Sequence, residues 1–158
     1  MKPERQKRIP AYFSSLSDEW ITPQEFFQRL DRKFGFDLDV AARPSNAKCP
    51  RFFTLQEDGL RQDWTGSVAW CNPPYSRRQI GNWLKKAYES AAAGATVVCL
   101  IPSRTDVKFW HDYVMRASEI RFVRGRLKFS GAKTGAPFPS ALVIFRMPLP
   151  ATPRLSVA

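Results

Sequence analysis

Residues 96–101, with the sequence TVVCLI, form a continuous apolar run that ends at Pro102. A strand that is apolar along its whole length is typical of the centre of a parallel sheet, because helices cover both of its faces. The preceding segment, residues 80–91, carries apolar side chains at helical spacing and is followed by Gly94. This pattern predicts a central strand preceded by a crossover helix, which is a unit of an α/β fold.

Further strands and helices alternate along the rest of the chain. The first helix is predicted to begin at Thr22, a good N-cap, with Pro23 in the first helical position. Glu25 completes a capping box, and Gly35 ends the helix. Strands are predicted at residues 36–40, 51–55, 67–71, 119–124, 127–129 and 141–146, and a further helix at residues 106–117. The alternation predicts a single α/β domain with an open, doubly wound and mostly parallel sheet.

The length and the ends of the chain suggest a simple domain organisation. A chain of 158 residues suits one domain with one core. We expect a basic flexible arm at residues 1–16, the main domain at residues 17–147 and a loose proline-rich tail at residues 148–158. No apolar run approaches the length of a membrane-spanning helix, about 20 residues, and residues 1–10 do not resemble a secretory signal. We therefore expect a cytoplasmic protein without a membrane partner.

The cysteines and the single histidine argue against a metal centre. Cys49, Cys71 and Cys99 are widely spaced, form no CxxC pair and are odd in number, so we interpret them as reduced thiols. His111 is the only histidine, and no cluster of ligands surrounds it. We expect no bound metal.

The charge balance favours a polyanionic partner. The chain has 25 basic and 14 acidic residues, for a net charge of +11. Charge alone is equally compatible with a basic surface that only keeps the protein in solution, but the basic residues are clustered rather than scattered. Our candidates for contacts with a nucleic acid are Arg77, Arg78, Arg104, Arg126, Lys128 and Lys133.

Three strand ends are expected to meet at one crevice. Asp39, Asn72 and Pro102 each lie at the end of a predicted strand. Ligands of open α/β sheets bind beyond the carboxyl ends of the strands. These positions therefore mark the predicted ligand site.

The tetrad Asn72-Pro73-Pro74-Tyr75 follows the buried strand 67–71 and is suited to chemistry on a planar amine. An exocyclic adenine amine is a poor nucleophile because its lone pair is delocalised into the ring. The Asn72 side chain and the Pro73 main chain offer two carbonyl acceptors for its N–H groups, and the prolines hold these acceptors in place. Tyr75 would stack on a base extracted from the duplex. The alternative is an ordinary turn after a strand.

Several segments around the tetrad are similar to those of one known family. They are residues 20–23, 36–42, 101–106, 125–129 and 138–142, which occur in this order over about four-fifths of the chain. The chain resembles the small DNA N6-adenine methyltransferases of bacteriophages and prophages, of the Dam type that carries an NPPY tetrad. The resemblance implies a Rossmann-like methyltransferase domain without a separate target-recognition domain. It also implies S-adenosylmethionine as the methyl donor and adenine in double-stranded DNA as the acceptor.

The same resemblance suggests where the donor binds. It implies that Thr22-Pro23 precedes the donor's methionine part and that Asp39 belongs to the loop around the donor. Ala41-Ala42 stand where larger methyltransferases have glycines. Trp20 is a candidate wall residue. Asp63 is a candidate for the donor's adenine amine or a surface carboxylate, and Asp58 is a weaker candidate.

Two other functions remain open at the level of sequence. The same tetrad can methylate an RNA amine or a protein amide, although the basic surface argues against a protein. The missing glycines also allow a DNA-binding relative that has lost catalysis. Residues 130–138 are either a basic loop that inserts into DNA or an ordinary connection. The target sequence, the acid that holds the donor ribose, the oligomeric state and the biological role, such as restriction protection, are not predicted.

Overall fold

A computed structural model describes residues 20–158, so the predicted arm at residues 1–16 lies outside the described part. Its helices and strands, in chain order, are α1 Gln24–Phe34, β1 Leu38–Asp39, β2 Arg51–Phe52, β3 Val68–Cys71, α2 Ile80–Ala92, β4 Thr96–Pro102, α3 Lys108–Asp112, β5 Glu119–Phe122, β6 Ser140–Phe145 and β7 Arg154–Val157. The seven strands form one sheet in the order β2-β1-β3-β4-β6-β5-β7. The fold is therefore mixed α/β, as the sequence predicted.

The predicted central strand is the middle strand of this sheet. Strand β4 pairs in parallel with β3 and antiparallel with β6, and residues 97–102 are buried. Strands β2, β1, β3 and β4 are mutually parallel, whereas β6 is antiparallel to both of its neighbours. The carboxyl ends of β1, β3 and β4 consequently lie at the same edge of the sheet, which is the edge that the sequence predicted for the ligand.

Helix α1 begins later than predicted, and the reason bears on function. Pro23 occupies the N-cap position with an extended backbone, and no side chain caps the helix. The Thr22 hydroxyl is instead turned inward and contacts Asn72. The predicted capping box is therefore wrong. The end of the helix is as predicted, because Gly35 adopts a left-handed φ of 66°.

Three predictions for the second half of the chain are wrong. The helix expected at residues 106–117 is broken into α3 and a 3₁₀ turn, Val114–Arg116, with Tyr113 between them. Residues 127–129 form no strand and belong to the irregular segment 123–139. Residues 148–158 are not simply a loose tail, because they contain β7, which pairs in parallel with β5 at the sheet edge.

Two kinds of feature are absent from the described residues: membrane-spanning helices and groups of metal ligands. In residues 20–158, no helix is long and apolar enough to cross a bilayer. The same residues contain no group of three or more histidine, cysteine or acidic side chains placed to hold a metal ion.

The edge strand β7 is held to a buried carboxylate by one ion pair and one hydrogen bond. Glu119 is only 2% exposed and accepts hydrogen bonds from Arg121 at 2.9 Å and from Ser156 at 3.0 Å. Arg154 of β7 lies 3.3 Å from the same carboxylate. The hydrogen bond from Arg121 is the main reason that the pKa of Glu119 falls to about 2, despite the opposing effect of burial.

We expect the free energy of unfolding to depend on this carboxylate in acid. Because the folded pKa lies below the ordinary value of 4.5, the stabilisation is complete above about pH 5 and is lost as the pH falls toward 2. The shift corresponds to about 3 kcal/mol. Urea unfolding at several pH values should therefore show that the free energy of unfolding falls between pH 5 and 3. In Glu119→Gln this fall should be smaller. Glu89→Gln, at the exposed pair with Lys85, is the control; equal profiles for both variants would contradict the prediction.

Candidate active site

A cleft opens at the carboxyl edge of β1 and β3. Its cavity volume is about 100 Å³, and one side is open to solvent. Its walls come from the segment 20–22, from the turn after β1, from residues 53–59 and from the start of the tetrad. Trp20, Val40 and Phe53 give it apolar surfaces, and Asp39 and Asp58 give it carboxylates.

Asp39 shapes the turn that follows β1. The carboxylate is 3% exposed and accepts the main-chain N–H groups of Ala41 at 3.3 Å and Lys48 at 2.9 Å. Burial raises the pKa of Asp39, and these two hydrogen bonds oppose that rise. Burial likewise lowers the pKa of Lys48, against the attraction of Asp39. Asp39 therefore fixes residues 41–48 as one wall of the cleft.

Gly59 allows the opposite wall to touch the sheet. A Cβ atom built on Gly59 would lie 2.0 Å from the main-chain oxygen of Val40. The Gly59 oxygen also accepts a hydrogen bond from the fully buried Trp64 indole at 2.9 Å. Only a residue without a side chain fits here, so this glycine sets the close approach of residues 53–59 to the end of β1.

The amide of Asn72 is held in one orientation. Its Nδ2 group donates to the main-chain oxygen of Trp20 and to the Thr22 hydroxyl at 3.1 Å. A main-chain oxygen can only accept, which identifies the nitrogen side of the amide. The Oδ1 atom accepts from the Tyr75 hydroxyl at 2.7 Å. A carbonyl oxygen has two lone pairs, so one acceptor position on Oδ1 is left for another donor.

Tyr75 supports Asn72 from within the core. Its side chain is 4% exposed, and its hydroxyl also lies 3.0 Å from the Leu100 main-chain oxygen. Burial raises the pKa of Tyr75 well above its ordinary value. The phenol therefore stays protonated and able to donate.

We expect Tyr75→Phe to lower kcat about fivefold, because the net contribution of one such hydrogen bond is about 1 kcal/mol and the Asn72 amide becomes less well fixed. The ring packing is kept, so KM for the donor should change little. Steady-state kinetics would measure both constants. Tyr88→Phe is the matched control, since the Tyr88 ring packs against Tyr113 and Phe145 away from the tetrad. An unchanged kcat for Tyr75→Phe would refute this positioning role.

An aromatic cluster covers the tetrad. The Tyr75 ring lies edge-on to Phe138 at 5.6 Å and to Phe129 at 6.2 Å between centroids. Trp20 contacts the same two rings at 5.1 and 5.3 Å. Phe129 and Phe138 belong to the segment 123–139, which is tied to the segment before α1 by the hydrogen bond from Ser130 N to the Ile21 oxygen. The Tyr75 ring is therefore buried among protein side chains.

The structure brings most of the predicted site residues together. Those that line the cleft are Trp20, Thr22, Asp39, Ala41, Asn72, Pro73 and Pro74, with Tyr75 buried behind them. Pro23 caps α1 and does not line the cleft. Asp63 does not line it either, because its exposed side chain accepts from Thr65 N at 2.9 Å within its own turn.

The predicted nucleic-acid contacts divide into two places. Arg77, Arg78 and Arg104 line a second concavity beside the tetrad. Arg126, Lys128 and Lys133 are exposed or partly exposed on the segment 123–139 and line neither cavity.

Sequence reasoning named Asp58 as a weaker candidate but did not predict that Gly59 brings the segment 53–59 against Val40. Asp58 lines the cleft and adopts a left-handed φ of 54°, while its carboxylate accepts from Leu60 N at 3.2 Å. A non-glycine residue with positive φ is uncommon and often lies at a functional site. The Asp58-Gly59 pair was a turn signal in the sequence, but nothing local indicated that this turn reaches Val40.

The fold and this cleft define a class: α/β enzymes that bind a small-molecule ligand at the carboxyl edge of the sheet, next to a fixed amide. Comparison with known proteins makes the class specific. Residues 12–151 match the family model described as DNA N-6-adenine-methyltransferase (Dam). The chain belongs to this family, as the resemblance of its motifs predicted.

Two phage relatives illustrate the similarity. The DNA N-6-adenine-methyltransferase of Haemophilus phage HP1 (strain HP1c1) is 32% identical over 141 residues, which cover 84% of this chain and 81% of that protein. The DNA N-6-adenine-methyltransferase of Escherichia phage T1 is 29% identical over 138 residues, or 77% of this chain. The chain spans only 57% of the length of the phage T1 protein.

Proposed function

We propose that this chain transfers a methyl group from S-adenosylmethionine to the N6 amine of adenine in double-stranded DNA. The observation that carries the proposal is the fixed amide of Asn72, which lines the cleft and whose oxygen keeps one acceptor position for another donor. Membership of the DNA N-6-adenine-methyltransferase family supports the choice of acceptor. The net charge of +11 suits a DNA partner.

The cleft has the chemistry that the donor requires. Apolar walls from Trp20, Val40 and Phe53 suit a ligand with an aromatic base, and carboxylates suit its hydroxyl and ammonium groups. In this proposal Thr22, Asp39 and Ala41 shape the donor site, and Asp58 supplies an accessible carboxylate. When bound, S-adenosylmethionine supplies an electrophilic methyl group on a sulfonium centre.

The tetrad activates the acceptor. One N–H of the adenine amine donates to Asn72 Oδ1 and the other to the Pro73 main-chain oxygen, which draws the lone pair back onto the nitrogen. With the donor bound, its sulfonium would supply the methyl group to the amine held by Asn72 and Pro73 and would leave as the neutral thioether, and the extra amine proton would leave to solvent. No general base is required. Asn72 and Pro73 thus orient the nucleophile, and the rigid prolines keep both acceptors in place.

The base must leave the duplex to reach this site, because its amine is otherwise paired. In this proposal the extruded adenine stacks on Tyr75 and takes the place of the aromatic side chains that cover it, Phe129 and Phe138. Such stacking contributes about 1–3 kcal/mol. The segment 123–139 would then have to move when DNA binds.

We also propose that the fold is a Rossmann-like, doubly wound methyltransferase domain. Four parallel strand pairs and the ligand cleft at their carboxyl edge support it. We further propose action in the cytoplasm of a bacterial host, as befits relatives from bacteriophages.

The decisive experiment incubates the purified protein and labelled S-adenosylmethionine with unmethylated duplex DNA and maps modified adenines by sequencing. We expect label on N6 of adenine at a recurrent sequence. Transfer to RNA or to a protein amide, with none to DNA, would refute the proposed acceptor. An absence of donor binding by calorimetry, with or without DNA, would favour a DNA-binding relative without catalysis.

A further inference from the structure

A second concavity lies between the start of α2 and α3. Its cavity volume is about 380 Å³, and it is open to solvent. Basic side chains dominate its lining: Arg77, Arg78, Lys85, Arg104 and Lys108. The sequence separates these residues by up to thirty-one positions, so only the fold assembles them.

The acidic groups nearby neutralise only the two lysines. Lys85 pairs with Glu89 at 3.0 Å, and Lys108 pairs with Asp112, which also lines the concavity. Within residues 20–158, Arg77 and Arg78 have no ion pair, and both side chains are exposed. The concavity therefore keeps a net positive charge that the described part of the chain does not compensate.

Arg104 links the concavity to the tetrad. Its Nη1 group donates to the Tyr75 main-chain oxygen at 3.2 Å, and its guanidinium lies 6.0 Å from the Phe138 ring centroid. Arg77 follows Tyr75 by two residues, so its Cα lies within about 7 Å of the Tyr75 Cα. The basic concavity therefore begins directly beside the tetrad.

We propose that this concavity binds backbone phosphates of the DNA strand next to the extruded adenine, with Arg77 and Arg78 as the main contacts. The inference rests on the proposed function and extends it to the binding of the flanking backbone. Arginine suits this role because its planar fork donates to phosphate oxygens in pairs. Such contacts hold the strand in register without reading its sequence. Arg104 joins the phosphate site to the backbone of Tyr75.

The test removes charge from the concavity and leaves Arg104 unchanged, because Arg104 also contacts the tetrad. The variant is Arg77→Gln/Arg78→Gln. The matched control is Lys33→Gln/Arg146→Gln, which removes the same charge from exposed positions near the amino ends of the parallel strands, at the last turn of α1 and after β6. Binding of fluorescent duplexes of two unrelated sequences is measured by anisotropy from about 50 to 200 mM salt.

We expect Arg77→Gln/Arg78→Gln to weaken binding of both duplexes about tenfold or more and to reduce the slope of log K against log salt by about one to two. The control should bind nearly as the wild type. Wild-type affinity and slope in Arg77→Gln/Arg78→Gln, or an equal loss in the control, would overturn the inference. If the double variant melts at a lower temperature than the wild type, Arg77→Gln and Arg78→Gln are tested singly, and their DNA affinity and salt slope are judged in the same way.

The outcome is separable from that of the proposed function. Methyl transfer and donor titration are measured on the wild-type protein first. A wild type that binds DNA through this concavity but transfers no methyl group would refute the proposed function and leave the phosphate site standing. A wild type that methylates adenine while the arginine variant binds DNA normally would refute the phosphate site alone.

Discussion

Replacement of Asn72 by alanine is expected to abolish methyl transfer while the protein stays folded. The substitution removes the amide oxygen that accepts the amine N–H in the proposed mechanism. Loss of one preorganised contact of this kind lowers kcat about 100- to 1,000-fold. It also leaves the Trp20 main-chain oxygen and the Thr22 hydroxyl without their donor, at a cost of about 1–3 kcal/mol in stability.

Transfer of labelled methyl groups, thermal melting and calorimetric titration of the donor would separate these effects for Asn72→Ala. Gln28→Ala removes an exposed amide from α1 and should behave as the wild type. Asn72→Ala should still bind the donor, although more weakly, because the segment 20–22 that it contacts lines the cleft. Full activity in Asn72→Ala would eliminate the proposed mechanism, whatever the stability of the variant.

Replacement of Gly59 by alanine is expected to damage the donor cleft itself. The added methyl group would meet the Val40 main-chain oxygen at 2.0 Å and the Trp83 ring at 3.1 Å. Backbone cannot yield as a flexible side chain can, so residues 53–59 must move away from β1. Overpacking of this kind costs about 1–3 kcal/mol and occasionally more. We expect donor affinity to fall about tenfold or more.

The matched control for Gly59→Ala is Gly81→Ala in helix α2. There the added methyl group would approach nothing closer than the Phe109 Cβ at 3.7 Å, and alanine is favoured over glycine in a helix by about 0.8–1 kcal/mol. Gly81→Ala should therefore keep or raise the melting temperature and leave donor titration unchanged. Equal melting temperatures and donor affinities for Gly59→Ala and the wild type would contradict the prediction, because they would show that the segment 53–59 can move to accept the methyl group.

The sequence predicted the centre of the fold better than its edges. The apolar run in β4 and the periodicity of α2 are strong signals because burial on both faces, or on one helical face, leaves a regular pattern. β7 carries no such signal, since most of its side chains are exposed and it is held by Arg154 and Ser156 contacts to Glu119. Residues 127–129 alternate like a strand but have no neighbouring strand to pair with.

The candidate site was predicted where function follows from position at a strand end, as for Asp39 and Asn72. It was not predicted where tertiary contacts override a local preference. Thr22 and Pro23 make a good capping signal, yet Thr22 contacts Asn72, fifty positions away. Asp63 was a candidate by its place before a tryptophan, but its carboxylate closes its own turn.

The segment from Trp20 to Thr22 has a consequence for how variants of this protein should be interpreted. This one segment forms a wall of the cleft and also supports the Asn72 amide. Substitutions at Thr22 and Asn72 will therefore not be additive, because contacting residues share an interaction energy. In the proposed function, a change that improves donor affinity here would also alter the acceptor geometry, so affinities for the two substrates would not vary independently.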